Sequence, residues 1–130
     1  MQPQLSVIIV NYNVRELLKN CIRSIYESIK NEDVEIIVVD NASTDGSVDM
    51  VRGDFPGVTL IANPRNSGFV QGCNQGAAAS NSRYILLLNP DTEAIGDALP
   101  LMVDYMDAHP SVGVLGPRLL FPDGQVQSSR

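Results

Sequence analysis

Four short apolar runs restrict this 130-residue chain more than any other feature. Each ends in a polar cluster, and each is followed by a segment of helical spacing. Residues 5–10 include Val7, Ile8, Ile9 and Val10; residues 34–39 include Ile36, Ile37, Val38 and Val39. Residues 58–62 and 83–88 repeat the pattern, the last ending in Tyr84, Ile85, Leu86, Leu87 and Leu88. Short apolar runs of this kind predict strands buried on both faces.

Between the runs lie predicted helices. Val14, Leu17, Leu18, Cys21, Ile22, Ile25 and Ile29 fall on one helical face, with Asn13 as the expected cap. A short helix is expected over residues 47–52, with Val48 and Val51 inward. A helix over residues 69–79 is rich in small residues and so packs close to the sheet. Leu99, Met102, Val103 and Met106 mark another, with Pro100 tolerated in its first turn. A fifth strand is expected over residues 111–115. Residues 119–121 and 125–127 are expected to pair across Pro122, Asp123 and Gly124. Alternation of this kind predicts an α/β fold, an open and mostly parallel sheet with helices on both faces.

The chain is long enough for one domain, able to bury roughly two-thirds of its unfolded surface. Its formal net charge is −6, with scattered Lys and Arg. That excludes the basic stripe of a nucleic-acid surface. Cys21 and Cys73 stand in no metal-like spacing, and two buried free thiols in a reducing compartment are expected. No signal peptide is visible and no apolar run approaches the roughly 20 residues of a membrane helix, so a cytoplasmic protein is expected. The residues Lys30, Asn31, Glu32 and Asp33 read as a solvated charged turn.

In a parallel sheet all strands point the same way, so the polar clusters gather on the carboxyl edge, where ligands bind in open α/β sheets. Asn11, Tyr12 and Asn13 follow the first strand. Tyr12 offers a ring for stacking a base, or packs over the first helix. Asp40 follows the second strand. Its carboxylate either meets a base N–H or ribose hydroxyl, or caps the turn that follows; Asp45 is read as a cap. Asn66, Ser67 and Gly68 open a helix whose N–H groups suit an anion. Arg65 is read either as a phosphate contact or as a surface residue, and Asn74 as buried structural support. Asn89, Pro90 and Asp91 are good turn chemistry. They are also a candidate cation site, since Mg²⁺ commonly joins one or two carboxylates to substrate phosphates. Asp91 is the best metal ligand, with Glu93 behind it. His109, at a helix end, has no acid, base or nucleophile at a recognisable spacing.

Taken in order, four segments resemble the family 2 glycosyltransferases, in particular the rhamnosyltransferase-like branch. They are Ser6 to Asn13, Val38 to Gly46, Asn66 to Phe69 with Asn74, and Leu87 to Asp91. The resemblance implies a GT-A fold that takes a nucleoside diphosphate sugar donor and a divalent cation, Mn²⁺ or Mg²⁺. It implies nucleotide contacts from Val10, Asn11, Tyr12, Asp40, Asn66, Gly68 and Asn89, and a metal on Asp91. The family's Asp-x-Asp motif reads Asn89, Pro90, Asp91 here, so one carboxylate is replaced by an amide.

The implied reaction is transfer of the sugar, with inversion, to a hydroxyl of a saccharide or lipid-linked saccharide acceptor in cell-surface polysaccharide synthesis. Family members run longer than 130 residues, and their catalytic base lies in the acceptor-side half. The expectation is therefore an N-terminal, donor-binding fragment with its base beyond Arg130. Such a fragment would be inactive or weakly active alone, and the full enzyme could lie against the inner membrane face. Apolar surface left uncovered leaves room for a homodimer. Two alternatives remain at this point: a non-catalytic module binding a nucleotide sugar or a partner protein, and a sugar nucleotidyltransferase. The second would carry a Gly-rich, Arg-containing loop where Asn11, Tyr12 and Asn13 stand.

Overall fold

The computed structural model of the chain describes residues 2–29 and 33–128. Residues 30–32 of the expected charged turn lie outside the described residues; Asp33 is exposed. The strands are β1 (Leu5–Asn11), β2 (Val34–Asp40), β3 (Thr59–Ala62) and β4 (Tyr84–Leu87). The helices are α1 (Arg15–Ser28), α2 (Ser47–Asp54), α3 (Phe69–Ala79) and α4 (Ala98–Ala108). All strand pairs are parallel, in the order β3-β2-β1-β4.

Alternate residues of β1 and β2 feed two apolar layers. Val7, Ile9, Ile36 and Val38 pack with Leu18, Ile22 and Ile25 of α1, Met50 and Val51 of α2, and Leu99 and Val103 of α4. Ile8, Val10, Ile37 and Val39 form the opposite layer, with Cys73 and Ala77 of α3 against it. Helices therefore cover both faces, as the alternation predicts. The small residues of α3 have a defined use. A Cβ on Gly72 would stand 2.7 Å from Val10 Cγ1, and one on Gly76 only 2.4 Å from Ile8 Cγ2. Glycine at both positions lets the helix backbone approach stiff, β-branched side chains of the central strand.

Several expectations need correction. β4 is not buried on both faces. It is an edge strand, and Ile85 and Leu87 are 48% and 54% exposed, while Tyr84 and Leu86 join the α1 and α4 layer. The expected fifth strand over residues 111–115 does not form. Gly113 and Gly116 bring no side chain to pack, Pro110 and Pro117 flank the segment, and Val114 is exposed. The downstream hairpin is reduced to one antiparallel bridge, Leu120 with Val126, closed by the Phe121 N–H to the Gln125 carbonyl at 2.8 Å.

Smaller corrections concern single side chains. Leu17 is exposed, because the buried stripe of α1 runs through Leu18, Cys21, Ile22, Ser24, Ile25 and Ser28. In α2, Met50 rather than Val48 joins Val51 in the core. Asn13 does not cap α1; the position before the helix is Val14, and the Asn13 side chain goes elsewhere. Both cysteines are free, but Cys73 is only half-buried.

Candidate functional site

β1 pairs with β2 along seven residues, from Leu5 with Val34 to Asn11 with Asp40. Its pairing with β4 ends earlier, at Ile8 with Leu87, followed by the Leu88 N–H to the Ile8 carbonyl at 3.0 Å. Beyond that point β1 and β4 part at their carboxyl ends. The chain also reverses its winding there, since β2 and β3 lie on one side of β1 and β4 on the other. Ligand crevices in open α/β sheets form at such a switch point. Asn11, Tyr12 and Asn13 stand on one side of this crevice, and residues 89–91 on the other.

The β1 and β2 loops are tied together. Asp40 is 1% exposed, and both its carboxylate oxygens accept hydrogen bonds. Oδ1 accepts from Asn11 Nδ2 at 2.9 Å and from the Ser43 hydroxyl at 2.7 Å; Oδ2 accepts from the Ser43 N–H at 2.9 Å. Asn13, with a left-handed φ of 52°, accepts from the Thr44 N–H through Oδ1 at 2.7 Å. Asp45 spans both loops. Oδ2 accepts from the Arg15 N–H at 2.9 Å, and Oδ1 from the Ser47 N–H at 3.0 Å, so it caps the starts of both α1 and α2. Partial burial pushes the Asp45 carboxyl up. The hydrogen bonds from the Ser47 side chain and from the backbone N–H groups of Arg15, Ser47 and Asp45 itself outweigh that and set it below its ordinary value.

A second set of bonds joins the β2 loop to β3 and α3. Asn41, nearly fully buried, donates through Nδ2 to the Gly68 carbonyl at 3.1 Å and accepts from Asn63 Nδ2 at 2.9 Å. Asn63 and Gln75 exchange amide bonds at 2.7 and 2.9 Å. Gln75 therefore has the supporting role expected of Asn74, which is exposed. The sequence places Asn41 on this edge, directly after a buried strand, but gives it no role; Gln75 it misses, since nothing in the spacing marks Gln75 over Asn74. Gly68 has a φ of 91° and its N–H meets Asn66 Oδ1 at 2.9 Å, a local turn that opens α3.

The loop bearing Asn89 and Asp91 is fastened to α1 instead. The Asn89 carbonyl accepts from Thr92 Oγ1 at 2.7 Å, closing a tight turn, and the Cys21 thiol points to the same oxygen at 3.8 Å. Ser24 Oγ accepts from the Ala94 N–H at 2.9 Å. Burial pushes the Cys21 thiol up to about 12, and the carboxylates of Asp91 and Glu93 push the same way against a lowering bond with Thr92. The Asn89 and Asp91 side chains are exposed at the crevice edge, and Tyr12 is half exposed on the facing side. Val10 is buried, with its side chain against α3 at Gly72. Arg65 is exposed. His109 is remote: Tyr84, which begins β4, donates to Asp107 at 2.7 Å, so α4 ends at the opposite edge. There the His109 ring stacks on Tyr105, centroids 4.0 Å apart.

For a cation, the donor set is one carboxylate, Asp91, with Glu93 nearby. Among the described residues no group of three or more His, Cys, Asp or Glu side chains is arranged to hold a metal. That fits a Mg²⁺-type ion bound mainly by substrate phosphates and water, and not a closed protein cage. A separate apolar cavity of about 740 Å³ lies against the open side of β4, lined by Cys73, Ile85, Leu87, Met102, Met106 and Val114 among others. No Asp or Glu lines it, which separates it from the crevice.

A parallel sheet with a polar switch-point crevice defines a nucleotide-binding class of α/β domain. The family model for glycosyl transferase family 2 matches residues 6–130, and the chain belongs to that family. It is 35% identical over 107 residues to the uncharacterized glycosyltransferase YfnE of Bacillus subtilis, covering 80% of this chain and 26% of that protein. It is 27% identical over 141 residues to the N-acetylglucosaminyl-diphospho-decaprenol L-rhamnosyltransferase of Mycobacterium tuberculosis, covering 99% of this chain and 45% of that one. Among solved structures, the mannosyltransferase PcManGT from Pyrobaculum calidifontis, in complex with GDP-Man and Mn²⁺, superposes with a TM-score of 0.77 at 28% identity, over 87% of this chain and 34% of that one. Staphylococcus aureus TarS 1-349 with UDP-GlcNAc shares the fold, with a TM-score of 0.73 at 22% identity, over 82% of this chain and 32% of that one. The chain thus spans between about a quarter and a half of the length of these relatives. Among the described residues, no helix is long and apolar enough to cross a membrane.

Proposed function

We propose that this chain is the donor-binding part of a glycosyltransferase that moves a sugar from a nucleoside diphosphate to an acceptor hydroxyl. The observation that carries this reading is the crevice where β1 and β4 part, with Tyr12 and Asp40 on one side and Asp91 on the other. Tyr12 stacks on the base. Asp40 accepts from a ring N–H of the base, which uracil, thymine and guanine present and cytosine does not. Asn11, Asn66, Gly68 and the Val10 backbone line the nucleotide, and Asn89 supplies a neutral oxygen near the diphosphate. Asp91 holds a divalent cation, Mn²⁺ or Mg²⁺, which when bound neutralises charge on the leaving diphosphate.

In the reaction the acceptor oxygen bonds to the anomeric carbon from the face opposite the diphosphate. The bond to the diphosphate oxygen breaks and that oxygen leaves with the electron pair. The acceptor proton passes to a general base. No described residue at the crevice is assigned as that base; an acidic residue on the acceptor side of the site is expected to supply it. A saccharide or lipid-linked saccharide is the acceptor, by likeness to the mycobacterial rhamnosyltransferase.

Asp91→Ala tests the metal assignment. Asp91 is exposed and its side chain takes no part in the core, so the fold should persist. Nucleotide affinity measured with Mn²⁺ should fall about tenfold, one charge-assisted ligand lost, while metal-free affinity stays. Equal affinity with Mn²⁺ in both proteins would remove Asp91 from the metal site.

A further inference from the structure

Ser43 lies at the centre of the bonds that join the two base-facing loops. Its hydroxyl has one proton and two lone pairs, and every one is engaged. The proton goes to Asp40 Oδ1 at 2.7 Å. The oxygen accepts from the Asn13 N–H at 2.9 Å and from Asn11 Nδ2 at 3.3 Å. The Ser43 N–H holds the other carboxylate oxygen of Asp40, at 2.9 Å.

The backbone is bent to make this possible. Ala42 has a φ of +63°, a left-handed conformation that a side chain other than glycine or asparagine seldom takes. That bend turns both the N–H and the hydroxyl of Ser43 back onto the residue three positions earlier. Strained residues of this kind persist where the surroundings over-determine them, and they cluster at functional sites.

We infer that Ser43 is a positioning residue for base recognition, fixing the Asp40 carboxylate and the Tyr12 loop relative to each other. This rests on the reading of Tyr12 and Asp40 as base contacts. The chemistry is specific. Asn11 Nδ2 and Ser43 Oγ occupy Oδ1 of Asp40, whereas Oδ2 has a single donor, the Ser43 N–H. A carboxylate oxygen accepts more than one bond, so Oδ2 retains capacity for one further N–H. A base presenting an N–H there is accepted. Cytosine presents a bare ring nitrogen in place of that ring N–H, with only its exocyclic amine to donate, and is held less well. Without the Ser43 hydroxyl, Asp40 Oδ1 loses one donor and the Asn13 N–H loses its acceptor. The carboxylate is then held by two donors in place of three, and the tyrosine loop keeps its side-chain ties to the β2 loop through Asn11 Nδ2 and Asn13 Oδ1.

The test is a set of calorimetric titrations of this chain with UDP, dTDP, GDP and CDP. The readout is the affinity ratio between the tightest of the first three and CDP. In the unaltered chain the ratio should exceed about tenfold, the worth of one hydrogen bond. In Ser43→Ala it should collapse toward unity, through weaker binding of the preferred nucleotide and not stronger binding of CDP. Ser43→Thr should restore the ratio, and Ser43→Val, the same shape without the hydroxyl, should not. Circular dichroism of each variant reports whether it is folded. An unchanged ratio in folded Ser43→Ala overturns the role of Ser43 and leaves the donor-site reading standing. If Ser43→Ala does not fold, equal ratios for the Thr and Val variants overturn it. An unaltered chain that binds none of the four overturns the donor-site reading and the role of Ser43 with it.

Discussion

The two sides of the crevice are built differently. On the β1 and β2 side the strands are central, covered on both faces, and their loops share a continuous set of hydrogen bonds from Asn11 through Asp40 and Ser43 to Asn13, and from Asn41 to Asn63, Gln75 and Gly68. On the β4 side the strand is short and at an edge, one face is open, and the loop is held to α1 through Cys21 and Ser24. A rigid wall suits recognition of a flat base. On the proposed reading the wall fixed at fewer points is the one that faces the diphosphate. The open face of β4, beside the 740 Å³ cavity, is also where the chain has apolar surface to offer.

The comparison can be broken most directly in the core. Ile9, fully buried in β1, should cost about 2–5 kcal/mol when changed to Ala. Leu87, in β4 and over half exposed, should cost less than about 1 kcal/mol. Urea unfolding of both variants measures the gap; similar losses would mean that the β4 face is covered in solution, as by a second copy of the chain.

Glycine substitutions sharpen the same contrast at smaller scale. Gly76→Val drives a side chain into Ile8 and should destabilise by about 1–3 kcal/mol. Gly113→Ala meets nothing within 4 Å and should stay within about 0.5 kcal/mol of the unaltered chain. Melting temperatures suffice to separate them.

The smallest effect is electrostatic and confined to the interlocked side. The Asp45 carboxyl lies below its ordinary value of 3.8 because backbone and side-chain donors favour its charged form. Its contribution to stability is therefore complete above about 3.8 and is lost as pH falls through the lower folded-state value. Asp45→Asn should lower stability near neutral pH and flatten its decline in acid. An unaltered acid profile would show that the two caps do not depend on the charge.

The central strands and α3 were legible because their signals are local and strong. β-Branched runs, small residues at helical spacing and terminal polar clusters each point to one structure. The edge was not legible, because burial of a strand's second face depends on what lies beside it. Tyr84 to Leu88 is as apolar as β1, yet only α1 and α4 cover it. Residues 111–115 have strand-like valines, but glycine and proline punctuate them and no neighbour pairs with them. At the carboxyl edge, the position of Asp40 was legible from its place after a strand. The hydrogen bonds of Ser43 were not, since they depend on the left-handed Ala42, and a motif of polar residues does not reveal where the backbone bends.

The most direct measurement is an amide-resolved NMR titration of the 130-residue chain with UDP, dTDP and GDP in the presence of Mg²⁺. The account predicts that one of these nucleotides shifts the resonances of Tyr12, Asp40 to Thr44, Asn66 to Gly68 and Asp91 together, in a saturable manner. Shifts confined to β4 and the cavity beside it, or no shifts with any nucleotide, would contradict a donor site at the crevice between β1 and β4.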